Sequence, residues 1–232
     1  MKITRKIKIR LKKFLLKSTI YFLSISIGLV LVFKFVPVLI TITMLGQWVK
    51  GGELHYNWEP IENLSPEMPI AVVAAEDQLF PEHHGFDFKS IKKAIKANQK
   101  TEKLRGGSTI SQQTAKNVFL WQGRSWIRKG LETYFTFLIE LIWGKKRILE
   151  VYLNVSEMGP QTFGAEAAAQ RYFKIPAAKL SRNRAARIAA ILPSPRKWKA
   201  VNSGSYVNKR TAHIERQIRQ LGGPAYLKEI NL

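Results

Sequence analysis

The chain has no cysteine, which removes disulfide staples, thiolate zinc sites and cysteine nucleophiles together and fits any compartment, an oxidising one included. It is also short of acid. Sixteen Asp and Glu stand against 38 Lys and Arg, a formal net charge of +22. In residues 1–50 the shortage is total: ten basic and no acidic residues, leaving 28 basic against 16 acidic, or +12, for the remainder. Histidine is scarce, and His83-His84 lacks the His-Glu-x-x-His spacing of a helical zinc site. No internal repeat and no sustained polar–apolar alternation are present, so a sheet-based architecture is not indicated. What remains is 46% hydrophobic and 11% aromatic, enough for a packed core. Full disorder is excluded, and 232 residues suit one globular domain plus an extension.

The extension is at the N-terminus. Ser18 to Phe33 carries no charge, and with Phe14 to Leu16 this run approaches the ~20 residues of a spanning helix. Lys17 and Lys34 can snorkel from near its ends. No Ala-x-Ala cleavage site follows Phe33, so an uncleaved anchor is expected over 14–36 rather than a signal peptide. The eight basic residues before its uncharged run, seven of them in residues 1–13 and the eighth Lys17, predict a cytoplasmic tail over 1–13 and a remainder outside the cytoplasm. Nucleic-acid binding is disfavoured, because the most basic segment is only that short tail.

Residues 37–60 read as a membrane-proximal connector, its apolar start interrupted by Pro37. Beyond it, over 61–223, the signals are helical. Ser65-Pro66-Glu67 starts a short helix that delivers Glu76 and Asp77 at its end. Asp87 caps a helix through Ile95, and Asn98 to Gly107 is a polar loop. Thr109 to Gln112 fits a capping box for a helix bearing Gln113, Lys116 and Asn117. Ser125 to Trp143 is a long helix stopped by Gly144. Further helices are expected over Lys146 to Asn154, Gly164 to Phe173, Ser181 to Leu192 and Ser205 to Leu221, with a tail over 224–232. The class is mainly α.

Three groups can carry chemistry. Glu76 and Asp77 close an apolar helix beside Phe80 and His83; a carboxyl in such surroundings is pushed towards the pKa of a general base, although a solvated helix end has the same sequence. Arg105-Gly-Gly-Ser108-Thr109 leads into a helix, the geometry that offers backbone N–H groups to an anion, but it lacks the Walker spacing and equally describes a Gly turn. Lys116 follows two turns on. Arg128, Lys129 and Glu132 share one helical turn, which suits either a cationic grip on a diphosphate or a surface i,i+4 ion pair. No dedicated metal-ligand set is present. Phe119, Leu120, Trp121, Trp126 and Ile127 concentrate apolar bulk suited to a core or to a bilayer interface.

In order, AAEDQLFPEHHGFD (from Ala74), RGGSTISQQTAKNVFL (from Arg105), RKGLE (from Arg128), ILEVYLNVSEMGPQTFGAEAAAQRYF (from Ile148) and ARIAAILPSP (from Ala186) resemble the motifs of the peptidoglycan glycosyltransferases, the family 51 transglycosylases. The resemblance covers most of His55 to Gly223. With no penicillin-binding transpeptidase domain following, it is to the monofunctional members. It implies a lysozyme-like, two-lobed helical domain with a membrane-associated jaw, behind one transmembrane helix in the inner membrane, the domain lying on the periplasmic face. The implied substrates are lipid II and the nascent glycan strand; other cell-wall synthesis or division proteins are implied partners, and nucleic acid is not.

By the same resemblance the 4-hydroxyl of the acceptor GlcNAc attacks C1 of the donor MurNAc, giving a β-1,4 link with inversion and releasing lipid diphosphate. Glu76 matches the general base. Glu132 matches the second acid, assisting the leaving diphosphate directly or through a divalent cation such as Mg2+ or Mn2+. Lys116, Arg128 and Lys129 match diphosphate contacts; Ser108, Thr109, Gln113 and Asn117, with Asp77, Phe80 and His83, match polar or site-shaping positions. Ser111, Thr114 and Arg184 depart from the common pattern. Two rival readings are a lysozyme-like hydrolase or lytic transglycosylase, against which the three cations argue, and a non-catalytic wall scaffold, against which both carboxylates argue.

Overall fold

The structure, a computed structural model, describes residues 5–88, 92, 107–123 and 125–231. Most of the expected Asp87 helix, and the Asn98 to Gly107 loop except Gly107, lie outside the described residues. The chain divides into two compact units, residues 1–36 and 37–232.

The first unit is one helix, α1 (Arg5–Phe35), of 31 residues. At 1.5 Å per residue it is about 46 Å long, against a hydrocarbon layer of about 30 Å. It extends back through the basic segment to Arg5, and most of its apolar side chains, Phe14, Tyr21 and Ile25 among them, are exposed. It is the one helix among the described residues long and apolar enough to cross a membrane.

The second unit is helical with one small sheet. Within the connector, Thr41 Oγ1 accepts the Met44 N–H at 3.2 Å and caps α2 (Ile42–Trp48), a helix that the sequence reading did not anticipate. Gln122 Nε2 donates to Thr43 Oγ1 at 2.7 Å, tying α2 to the turn at Gln122. The central element is α3 (Glu67–Glu76), in which every residue from Met68 to Ala74 is buried. A helix apolar on all sides must be surrounded, and α8 (Arg182–Ile191), α9 (Ser205–Gln220) and a 3-10 run over Gly223–Ile230 pack on it. That run places Leu227 and Ile230 in the core. The segment read as a C-terminal tail is therefore part of the fold.

On the other side stand α4 (Ile110–Phe119), α5 (Trp126–Ile142) and α6 (Gly144–Val155), packed on one another. Gly144 does end α5, but at φ +75° it is also the first residue of α6. Helix α7 (Ala165–Phe173) follows Gly164, whose φ of +85° and close approach, with an added Cβ only 2.6 Å from the Asn154 carbonyl oxygen, admit no other side chain. Strands β1 (His55–Tyr56), β2 (Glu157–Gly159) and β3 (Thr162–Phe163) form a sheet of order β1-β3-β2. Strand β1 runs parallel to β3 with His55 opposite Thr162, and β2 is antiparallel to β3. Two or three residues are too few to show alternation. The apolar cluster around Trp121 divides: Leu120 is core and Phe119 stacks on Phe135 at 4.4 Å, while Trp126 is 92% exposed and Ile127 stands out beside it.

Asp77 joins the two sides. It leaves the helical region at φ −160°, ψ 78° and so ends α3. Its buried carboxylate accepts the Ile110 N–H at the start of α4 at 2.9 Å and faces His83 Nε2 with both oxygens at 3.0 Å. The Gly85 N–H donates to His83 Nδ1 at 3.1 Å, which leaves the ring proton on Nε2, aimed at Asp77. Asp77→Ala leaves both donors buried and unpaired. It is expected to cost about 2–4 kcal/mol, read as a drop in Tm, and a drop below about 2 °C would contradict the assignment.

Candidate active site

The end of α3 and the start of α4 face each other across a cavity of about 400 Å³ lined by Ala75, Glu76, Asp77, Gln78, Gly107 and Ser108. A second, of about 260 Å³, is lined by Gln113, Lys116, Asn117, Gln122, Tyr152 and Glu157. Gln113 connects them. Its Nε2 donates to Glu76 Oε2 at 3.1 Å, and its Oε1 accepts from the hydroxyl of Tyr152, a buried residue of α6, at 3.2 Å.

Glu76 is the last residue of α3 because Asp77 breaks the helix immediately after it. Its other oxygen, Oε1, has no hydrogen-bond donor among the described residues; the Arg210 guanidinium of α9 stands 3.5 Å away, an ion-pair distance with no hydrogen bond. Burial raises the Glu76 pKa above the ordinary carboxylate value. The Gln113 hydrogen bond, Arg210 and Lys116 oppose that rise only in part, and Asp77 adds to it.

Glu132, on α5, has the opposite setting. It is 3% exposed, yet each oxygen has a cation: Arg128 Nη1 lies 2.8 Å from Oε2, and Lys129 Nζ binds Oε1. The i,i+4 spacing is therefore a buried grip. Arg128 Nε finds no acceptor among the described residues, and Lys129 is part-exposed, so both keep donors free for an anion. Lys116, one helix away, lies within electrostatic reach of Glu132, Arg128, Lys129 and Glu76. No hydrogen bond or ion pair engages its ammonium among the described residues, and burial lowers its pKa, with Glu132 opposing and the two neighbouring cations adding to the fall.

The structure thus brings Glu76, Gln113, Lys116 and Asn117 to the cavity walls and puts Ser108, which is exposed, at the rim of the first. Asp77 and Thr109 also line the first cavity, with their polar groups engaged in the fold, while Phe80 and His83 stand behind it. Phe80 is fully buried, with Lys145 Nζ 4.6 Å from its ring centre. Thr109 is spent on its capping box and on the Gly85 carbonyl, to which its hydroxyl donates at 2.7 Å. Arg184 lies over the Phe173 ring at 5.5 Å, outside this cluster. Sequence reasoning missed Arg210 and Tyr152. The first is one of many bases on α9; the second lies inside a recognised motif with nothing to distinguish it from a core tyrosine.

A resident divalent ion does not fit. Both Glu132 oxygens already hold cationic side chains, and no group of three or more metal-ligating side chains occurs among the described residues.

A family model described as Transglycosylase matches residues 43–219, and the chain belongs to that family. It is 53% identical over 224 residues to a protein of Chromohalobacter salexigens, covering 94% of this chain and 96% of that one. It is also 50% identical over 221 residues to one of Pseudomonas putida (strain GB-1), covering 93% and 94%. A third, from Caulobacter vibrioides, is 56% identical over 185 residues, covering 80% and 81%. All three carry the name biosynthetic peptidoglycan transglycosylase. The mainly helical domain is lysozyme-like, in agreement with the sequence reading.

The raised Glu76 pKa has a consequence for stability. The folded state holds the Glu76 proton more tightly than the unfolded state, so ionisation at higher pH weighs against folding. Glu76→Gln is therefore expected to raise Tm at pH 8, with the gain shrinking as pH falls through the raised pKa and vanishing below the ordinary carboxylate value. Denaturation of both proteins across this range checks it; a Glu76→Gln protein less stable at pH 8 than at pH 4, relative to the parent, contradicts it.

Proposed function

We propose that this peptidoglycan glycosyltransferase polymerises lipid II into glycan strands, with Glu76 as the base and Lys116, Arg128, Lys129 and Glu132 as the leaving-group site. The observation that carries the reading is the pairing of two unlike carboxylates across one lysine, Lys116, that has no hydrogen-bond or ion-pair partner among the described residues. Glu76 is part-buried, weakly compensated and open to a cavity, as a base must be. Glu132 is held between cations beside Lys116. The 4-hydroxyl of the acceptor GlcNAc gives its proton to Glu76 while its oxygen attacks C1 of the donor MurNAc. The bond from C1 to the diphosphate breaks on the opposite face, so the new β-1,4 link forms with inversion, and the negative charge passes to the diphosphate.

Lys116 supplies a cation for that charge, and Arg128 and Lys129 supply the donors that Glu132 leaves free, while Glu132 holds them in place. A hydrolase has no such charged leaving group to neutralise. Helix α1 anchors the chain in the membrane; by the bases at its N-terminal end the N-terminus lies in the cytoplasm and the enzyme domain on the periplasmic face, where a lipid-linked substrate is within reach.

Purified full-length protein in detergent is expected to convert labelled lipid II into long, lysozyme-sensitive glycan. Glu76→Gln, folded by circular dichroism, should lose about 10²- to 10⁴-fold in rate. Lys116→Met should lose about 10- to 100-fold, the worth of a hydrogen bond to a charged group. Polymer from Glu76→Gln at the parental rate overturns the assignment of the base, and shortening of preformed glycan by the parent overturns the reaction.

A further inference from the structure

Gln113 can sit in its place in two ways, because an amide turned by half a revolution has the same shape. In one, Nε2 donates to Glu76; in the other, Oε1 confronts the Glu76 carboxylate and repels it once it ionises. Nothing on α4 itself chooses between them, since the helix backbone satisfies its own groups. The choice comes from α6. The Tyr152 side chain is 1% exposed, and its hydroxyl lies 3.2 Å from Gln113 Oε1, while Gln113 Nε2 lies 3.1 Å from Glu76 Oε2.

We propose that Tyr152 is a positioning residue, whose buried hydroxyl holds the Gln113 amide with its nitrogen towards Glu76. Resting on the reading of Glu76 as the base, the proposal adds a residue that touches no reacting atom but sets the donor to the base. A phenol suits the role. Burial, with Glu76 and Asp77 close enough to oppose a second negative charge, raises the Tyr152 pKa well above its ordinary value, so the hydroxyl keeps its proton throughout the working range. The other charged groups facing Glu76 are Arg210 from α9, Lys116 from α4 and Asp77 beside it in sequence. None of them touches the Gln113 amide, so none can substitute for Tyr152.

The sign of the effect follows from the hydrogen bond. A donor to Glu76 favours its ionised form, so a turned or loosened amide makes the base harder to ionise. In pH–rate profiles of lipid II polymerisation, Tyr152→Phe is expected to move the acidic limb to higher pH. The rate on that limb should fall about three- to tenfold and recover towards the parent on the alkaline plateau. Gln113→Ala should move the limb at least as far, and Tyr152→Phe in the Gln113→Ala background should move it no further, because both act through one amide.

Tyr152→Met, which fills the space without a hydroxyl, repeats the test should Tyr152→Phe not accumulate as folded protein. A uniform loss of rate with an unmoved limb, or shifts that add in the double variant, overturns the role of Tyr152. A parent with no acidic limb, or an active Glu76→Gln, overturns instead the reading of Glu76 on which it rests.

Discussion

The buried carboxylate of Asp77 is the contact on which the site depends. It takes the first backbone N–H of α4 and the ring of His83 while its own backbone ends α3, so one residue fixes where two helices stop and start. Everything that follows along α4 inherits that placement. Gln113 and Lys116 come one and two turns after Ile110, which is why the first meets Glu76 and the second reaches towards Glu132. The Thr109 capping box and its bond to the Gly85 carbonyl hold the same corner from the loop side. A one-residue slip at this corner would rotate α4 by about 100° and take both side chains out of the site.

Two carboxylates with opposite surroundings then divide the chemistry. Glu76 lies at the end of an apolar helix, where burial outweighs one amide and a guanidinium at 3.5 Å, so its proton affinity is raised. Glu132 has a cation on each oxygen. The first environment favours picking up a proton and the second favours holding charges where an anion must be met. Lys116 lies within electrostatic reach of both, buried enough to be weakened as an ammonium and left without a partner among the described residues. On the proposed reading, an approaching diphosphate restores what burial takes from it.

Much of this was legible in the residues, for identifiable reasons. The long apolar N-terminal helix is set by the absence of charge between Ser18 and Phe33, and the capping box at Thr109 is a local rule that held atom for atom. The place of Glu76 at the end of α3 was readable because eight apolar residues precede it and two acids close the run, while its assignment as a base came from the motif resemblance. The cluster at Arg128, Lys129 and Glu132 was ambiguous, since helical spacing brings these side chains together whether they lie in solvent or in a core. Only the packing of α5 on α4 and α6 decided that Glu132 is buried. Arg210 and Tyr152 act across 134 and 39 residues of chain, beyond any local rule. The C-terminal 3-10 run and the two-residue strands fail for the same reason, as tertiary contacts rather than periodicity make them.

The central claim is that Glu76 is a base tuned by its surroundings, and the most direct measurement is its own titration. Full-length protein carrying ¹³C-labelled glutamate, solubilised in detergent, allows the Glu76 side-chain carboxyl signal to be assigned by its loss in Glu76→Gln and followed with pH. The account predicts a midpoint above the ordinary glutamate value of about 4.3. A midpoint at or below that value would contradict it, leaving Glu76 an ordinary exposed carboxylate in solution.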